Sequence, residues 1–251
     1  MADIAARAGA LALGRWRGEF RRWEKAPGAI VCELDLAVDE FLKRELGALL
    51  PEAGWLSEET ADDPSRLECR RVWVVDPIDG TRDFVRGRDG WCVSVALVDR
   101  WRVVLGVLDA PARGERWLAA RGEGATLNGA PLAVAPRASL AGARVPADTL
   151  PAVDADLVAV PRPNSIALRM AMVAAGAADL VASLRWGNEW DIAAAALVAE
   201  ESGATVTDAL GLPLSYNTPT GEAFGVLATT PGIHAQALER LRARAEAALP
   251  R

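Results

Sequence analysis

Among its 251 residues this chain has one histidine, one tyrosine and three cysteines. The scarcity of histidine removes much of the usual catalytic repertoire. A Ser-His or Cys-His nucleophile would have to use His234, which lies in PGIHAQALERLRARAEAALP, a stretch patterned as an amphipathic surface helix. Cys32, Cys69 and Cys92 are odd in number, isolated and without metal-ligand spacing, and suit reduced thiols of a cytoplasmic protein better than a disulfide framework. No run approaches the roughly 18 apolar residues of a membrane span. The start, MADIAARAGALALGRWRGEF, carries arginines within its apolar stretch and lacks a signal-peptide core. Excess positive charge is lacking too: a formal charge of −6 and a pI near 5.0 give no reason to expect a nucleic-acid polymer or an anionic membrane as partner. Chemistry here has to rest on carboxylates and metal.

What is present is a chain with 51% hydrophobic residues, enough for a sizeable core. Residues 2–24 and 33–50 show helical spacing of apolar residues and read as two N-terminal helices, joined by a KAPGAIVCELD loop with Pro-Gly punctuation. GWLSEE reads as a short strand ending in Glu58 and Glu59, and ETADDPSRLE as a mobile loop. From Trp91 an antiparallel meander follows: WCVSVALV, VVLGVLDAP, then RWLAARGEGATLNGAPLAV. ASLAGARVPADTLPAV is the irregular connection into a second half. There the strand DLVAV, the helix SIALRMAMVAAG, the strand ADLVASL, the helix EWDIAAAALVAEESG and the strands ATVTD and AFGVLATT alternate.

The most informative stretch is VWVVDPIDGTRDF. Residues 72–75 are apolar on both faces, which predicts a central strand with Asp76 and Asp79 at its C-terminal end, where α/β sheets bind ligands. Pro77 fixes one backbone angle between the carboxylates, and Gly80 allows a sharp turn. Close like charges are costly unless a cation neutralises them, and hard oxygen ligands suit Mg²⁺ or Mn²⁺. If TRDF opens a helix or turn, the N–H groups of Gly80, Thr81 and Arg82 face the same spot and form an anion site. The same residues also suit a plain capped turn, and Asp191, at the start of a long Ala-rich helix, suits a helix cap. Four separated acidic sites, each at the end of a regular element, are harder to explain as independent caps.

SEE at 57–59, DPIDGT at 76–81 and WDIAAAALVAEESGATVTD at 190–208, with VCELDLAVDEFL at 31–42 and GATLNG and GLPLSYN further on, resemble the inositol monophosphatase family. These are lithium-sensitive, Mg²⁺-dependent phosphatases related in fold to fructose-1,6-bisphosphatase. The resemblance covers nearly the whole chain. It implies an α/β fold, a layered αβαβα sandwich, with residues 1–140 and 141–251 as two halves and the active site between them. It implies that Glu58, Asp76 and the carbonyl of Ile78 hold one metal ion, that Asp76, Asp79 and Asp191 hold a second, and that Glu58 reaches a third through water. Asp35 and Thr81 are similar to the pair that orients the attacking water with Glu58, while the backbone of Gly80 and Thr81 grips phosphate.

Departures from the family pattern bear on substrate. Ser57 and Cys32 replace a usual glycine and threonine, and Asn164 and Ile166 replace a glycine and a small residue beside the sugar ring. Glu189 is the acidic residue nearest the place where the family meets ring hydroxyls. Arg82-Asp83 resembles the Lys-Glu of the 3'(2'),5'-bisphosphate nucleotidase branch, and Arg185 and Trp186 lie on the same expected wall. The expected substrate is thus an inositol phosphate, with a nucleotide bisphosphate as alternative. A catalytically silent scaffold of the same fold is the rival of another class, and the presence of Asp35, Glu58, Asp76, Asp79, Thr81 and Asp191 together argues against it. Trp16, Trp23, Trp91, Trp101 and Trp117 fall in segments that suggest a homodimer face.

Overall fold

The computed structural model describes residues 1–26 and 29–249; the expected Pro27-Gly28 turn lies outside them. Helix α1 (Ala2–Leu13) buries Ala5, Ala8, Gly9 and Ala12, the face its spacing predicts. It stops eleven residues short of the expected helix 2–24. Gly14 and Gly18 weaken helix propagation, and Trp16 and Phe20 instead turn onto Trp91 and Phe84, with ring centroids 6.1 and 5.5 Å apart. The chain then forms a hairpin, an exposed β1 (Arg22–Ala26) against β2 (Ala29–Cys32), where the end of the first helix and a loop were expected. Helix α2 (Glu33–Leu49) follows as predicted.

Strands β3 (Gly54–Ser57), β4 (Arg71–Asp79), β5 (Cys92–Asp99), β6 (Arg102–Ala110), β7 (Glu115–Ala120), β8 (Gly124–Leu127) and β9 (Ala130–Pro131) lie in that order in one seven-stranded sheet, the meander included. β3 and β4 are parallel and the other pairs antiparallel. β4 continues to Asp79, beyond the expected 72–75. Pro77 is tolerated because the register with β5 shifts between Asp76 and Asp79, and β3 pairs only as far as Val75. The expected mobile loop after Glu59 is pinned: Pro64–Glu68 forms a 3-10 turn, and Arg66 is only 1% exposed. The short helix α3 (Thr81–Val85) opens directly after Gly80.

The stretch expected to be irregular contains β10 (Arg144–Pro146), parallel to β11 (Val158–Val160). Helix α4 (Ile166–Ala174), strand β12 (Leu180–Asn188), helix α5 (Glu189–Glu201), strands β13 (Thr205–Thr207) and β14 (Glu222–Thr229) and helix α6 (His234–Ala248) complete the chain. β12, β14 and β13 form a second, antiparallel sheet.

The layers run α1 and α2, the large sheet, α4 and α5, the small sheet, α6. Helix α5 is apolar all round because it lies between two sheets, with Ile192 to Ala199 all buried. It comes close to β6: a Cβ on Gly106 would stand 2.8 Å from the Ala194 carbonyl oxygen. One hydrophobic core joins the large sheet, α4, α5 and the small sheet, a second lies under α1 and α2, and a third lies beneath α6. Residue 140, the expected boundary, lies in the stretch between β9 and β10. His234 is half-buried rather than a surface residue. Its ring nitrogens lie 2.9 Å from the Thr229 hydroxyl and 3.3 Å from that of Thr207, and burial lowers its pKa.

Candidate active site

At the end of β4 two carboxylates are buried in one turn. Asp76, 1% exposed, accepts the Ile78 N–H at 3.0 Å through Oδ1. Asp79 accepts the Ala167 N–H at 2.8 Å and the Ser165 hydroxyl through Oδ2, which ties the turn to the start of α4. Gly80 is required at the next position. Its φ is +95°, and a Cβ there would stand 2.6 Å from the Gly90 carbonyl oxygen and 2.9 Å from the Ser165 nitrogen.

Asp35 and Asp191 reach the same region by a shared device. Each is the third residue of its helix and accepts the N–H of the residue before that helix, Cys32 at 2.8 Å and Asn188 at 3.3 Å. Each helix start therefore holds a carboxylate in place and leaves its second oxygen for other work. In Asp35 that oxygen, Oδ1, accepts the Thr81 hydroxyl at 2.9 Å; the same hydroxyl lies 2.9 Å from the Ile78 carbonyl. Asp191 caps α5 and also lines the cleft. Cys32 remains a thiol, its pKa pushed up to about 12 by burial and by Asp35.

Glu58 continues the β3–β4 ladder, its N–H 3.3 Å from the Val75 carbonyl. Ser57 sends its hydroxyl to Asp39, and Lys25 pairs with Glu59. Burial, with Asp191, Glu59 and Asp35 nearby, raises Glu58 to about 8, and burial with Asp79 raises Asp191 to about 7. Asp76, Asp79 and Asp35 are raised as well, chiefly by burial. Glu58, Asp76, Asp79 and Asp191 line one cleft of about 880 Å³. Among the described residues no three Asp, Glu, His or Cys side chains are drawn tightly enough together to clasp an ion as they stand. An oxygen-only donor set whose members raise one another's pKa values fits a hard divalent cation.

The profile of the inositol monophosphatase family matches residues 2–247. The chain belongs to that family. It is 34% identical over 215 residues to the fructose-1,6-bisphosphatase/inositol-1-monophosphatase of Thermotoga maritima, 81% of each chain being covered. It is 32% identical over 225 residues to the histidinol-phosphatase of Chlorobaculum parvum, covering 83% of this chain and 84% of that one. The solved IMPase from Thermotoga maritima superposes with a TM-score of 0.84 at 27% identity, over 99% of this chain and 97% of that one. Family and relatives make the protein a phosphomonoesterase of a metal-dependent family.

The rest of the cleft is the wall on which substrate contacts were expected. Arg82, Asn164, Ile166 and Trp186 line it as expected; Trp186 is 46% exposed and rests against Phe224 at 5.4 Å. Glu189 does not line it. Its side chain is fully buried and accepts the N–H of Asn217 at 2.6 Å and of Thr218 at 2.9 Å, so its carboxylate is spent on the loop before β14. Arg66 grips the other side of this loop, with Nη1 2.6 Å from Asn217 Oδ1 and Nε 2.6 Å from Asp62 Oδ1. The expectation that Glu189 meets substrate is therefore overturned. Asn164 turns its N–H to Asp83 at 3.0 Å. Sequence reasoning missed Ser165, Arg162 and Arg169. Ser165 was detectable as a helix cap, accepting the Leu168 N–H, whereas nothing local distinguishes the two arginines from surface ones.

Proposed function

We propose that this phosphomonoesterase works with two or three Mg²⁺ ions, replaceable by Mn²⁺, and hydrolyses a small phosphate ester of the inositol 1-phosphate type. The observation that carries the reading is the convergence of Glu58, Asp76, Asp79 and Asp191 on one cleft. Glu58, Asp76 and the Ile78 carbonyl would hold one ion and Asp76, Asp79 and Asp191 a second, with Glu58 reaching a third through water. Bound there, the ions would supply charge for the phosphate oxygens and acidify a water molecule, so that no histidine is needed.

The chain's own groups then do the positioning. Thr81 gives its proton to Asp35 Oδ1 and offers its oxygen lone pairs to one hydrogen of the attacking water. Glu58, ionised beside bound cations, would take the other hydrogen. The backbone N–H groups of Gly80 and Thr81 grip the phosphate. Lithium, of similar size and half the charge, is expected to inhibit by replacing the second ion. A cytoplasmic homodimer is the expected state: Trp23 and Trp101, 41% and 62% exposed, are available to a partner, whereas Trp91 and Trp117 are core.

A second reading, a nucleotide 3',5'-bisphosphate, is favoured by the exposed face of Trp186, which offers a stacking surface for a base. Comparing kcat/KM for inositol 1-phosphate and adenosine 3',5'-bisphosphate with Mg²⁺ decides between them. A preference of about a hundredfold or more for the nucleotide, selectively weakened in Trp186→Ala, would establish the second reading.

A further inference from the structure

Asp39 is a carboxylate outside the cleft, and it is only 5% exposed. It lies one turn after Asp35 on α2, so the two side chains share a face of that helix. Its described partners are neutral: Oδ1 accepts the hydroxyl of Ser57, and Oδ2 that of Thr60. These two residues stand on either side of Glu58 and Glu59, and the Glu59 N–H points to the Ser57 hydroxyl at 3.4 Å. Across the segment, Lys25 pairs with Glu59 and its ammonium lies 3.4 Å from the Glu58 carbonyl. The segment has other anchors for its fold, since the Glu58 N–H extends the ladder to Val75 and Arg66 holds Asp62. Burying a carboxylate is costly, but two hydrogen bonds to charged oxygens are strong and directional. The Ser57 hydroxyl, half of this hold, stands where a glycine is usual in the family.

We propose that Asp39 is a positioning residue that aims Glu58 through Ser57 and Thr60, so that α2 sets both sides of water activation, Thr81 through Asp35 and Glu58 through Asp39. This rests on the reading of Glu58 as metal ligand and acceptor of the water's hydrogen. The aim needs an outside hold: Asp191, Glu59 and Asp35 repel Glu58, and Lys25, which attracts it, is already paired with Glu59. Asp39 supplies that hold from the same helix that fixes Asp35, four positions away, so Thr81 and Glu58 keep a constant relation to each other. The competing explanation is that Asp39 only stabilises the end of β3.

The test combines Asp39→Asn with Glu58→Gln in a double-mutant cycle, read by kcat, by the Mg²⁺ concentration for half-maximal rate and by calorimetric binding of Mn²⁺. Asp39→Asn alone is expected to lower kcat, raise the Mg²⁺ requirement and weaken Mn²⁺ binding, each about tenfold, with the kcat/KM ratio between inositol 1-phosphate and fructose 1,6-bisphosphate unchanged. In the Glu58→Gln background the same change should weaken Mn²⁺ binding less than about twofold, because the group it aims is gone. Ser57→Ala with Thr60→Val, which removes both donors and keeps Asp39, should reproduce the losses. Unchanged kcat and Mn²⁺ binding in Asp39→Asn overturn the proposal. So do equal losses in both backgrounds, since a support for β3 alone acts whatever stands at position 58. Should Asp39→Asn misfold, the Ser57 and Thr60 pair decides, and misfolding of both shows a structural role and overturns it. A wild type that neither hydrolyses an ester nor binds Mn²⁺ fails the reading of Glu58 and the proposal with it, whereas a working wild type with indifferent variants fails the proposal alone.

Discussion

Asp35 and Thr81, forty-six positions apart, meet at 2.9 Å, hydroxyl to carboxylate. The pair exists because α2 begins at Glu33 and α3 at Thr81, and both starts face the turn at Asp76–Asp79.

Asp35→Asn keeps the shape of that contact and removes the group that takes Thr81's proton. The expected result is a kcat lowered about a hundredfold with KM little changed, the range of a lost general base. Steady-state kinetics beside a circular dichroism spectrum matching wild type would check it. Unchanged kcat would remove Asp35 from water activation.

Cation removal should make stability depend on pH. Glu58 moves from 4.5 to about 8 and Asp191 from 3.8 to about 7 on folding, so the folded state binds protons more tightly than the unfolded one. In EDTA the fold is therefore least penalised below pH 4.5, and Tm should fall as pH rises through 7 to 8. Millimolar-scale Mg²⁺ should restore Tm at the alkaline end by binding only the folded state. A Tm in EDTA that is flat or rising over that window would show that the carboxylates are not held close.

Glu189→Ala should cost stability rather than specificity. It leaves the Asn217 and Thr218 N–H groups without their acceptor, at about 1–3 kcal/mol for each group left buried and unpaired. Glu189→Gln, which keeps an acceptor oxygen, should be milder. Urea unfolding measures the first effect, and the ratio of kcat/KM between two esters measures the second. A changed ratio at unchanged stability would return Glu189 to the substrate.

Gly80→Ala tests the turn. The left-handed φ alone costs about 1–2 kcal/mol for a residue with a Cβ, and the new atom would press on Gly90 and Ser165. Since Ser165 holds Asp79, both Tm and activity should drop. Wild-type values for both would mean the turn relaxes freely.

The buried acidic turn at Asp76–Asp79 was legible because its signal is local: an apolar run that ends in two acids and a glycine records a buried strand and the loop beyond it. Glu58 and Asp191 were legible for the same reason, each lying at an element's end. Glu189 was misjudged because its fate depends on Asn217 and Thr218, twenty-eight and twenty-nine positions away, which no periodicity reports. Arg66 was hidden likewise, since its burial comes from Asn217, 151 positions on. The hairpin at 22–32 was missed because Trp16 and Phe20 continue a helical spacing while packing as loop residues on Phe84 and Trp91.

The central claim is that the buried carboxylates hold a divalent cation on which hydrolysis depends. It is tested most directly by phosphate release from inositol 1-phosphate and fructose 1,6-bisphosphate by wild type and Asp79→Asn, each with Mg²⁺ and with EDTA. Wild type with Mg²⁺ should hydrolyse at least one ester, and EDTA or the substitution should each lower its rate by about a hundredfold or more while the variant stays folded. Near-normal hydrolysis in EDTA, or by Asp79→Asn with Mg²⁺, would contradict it.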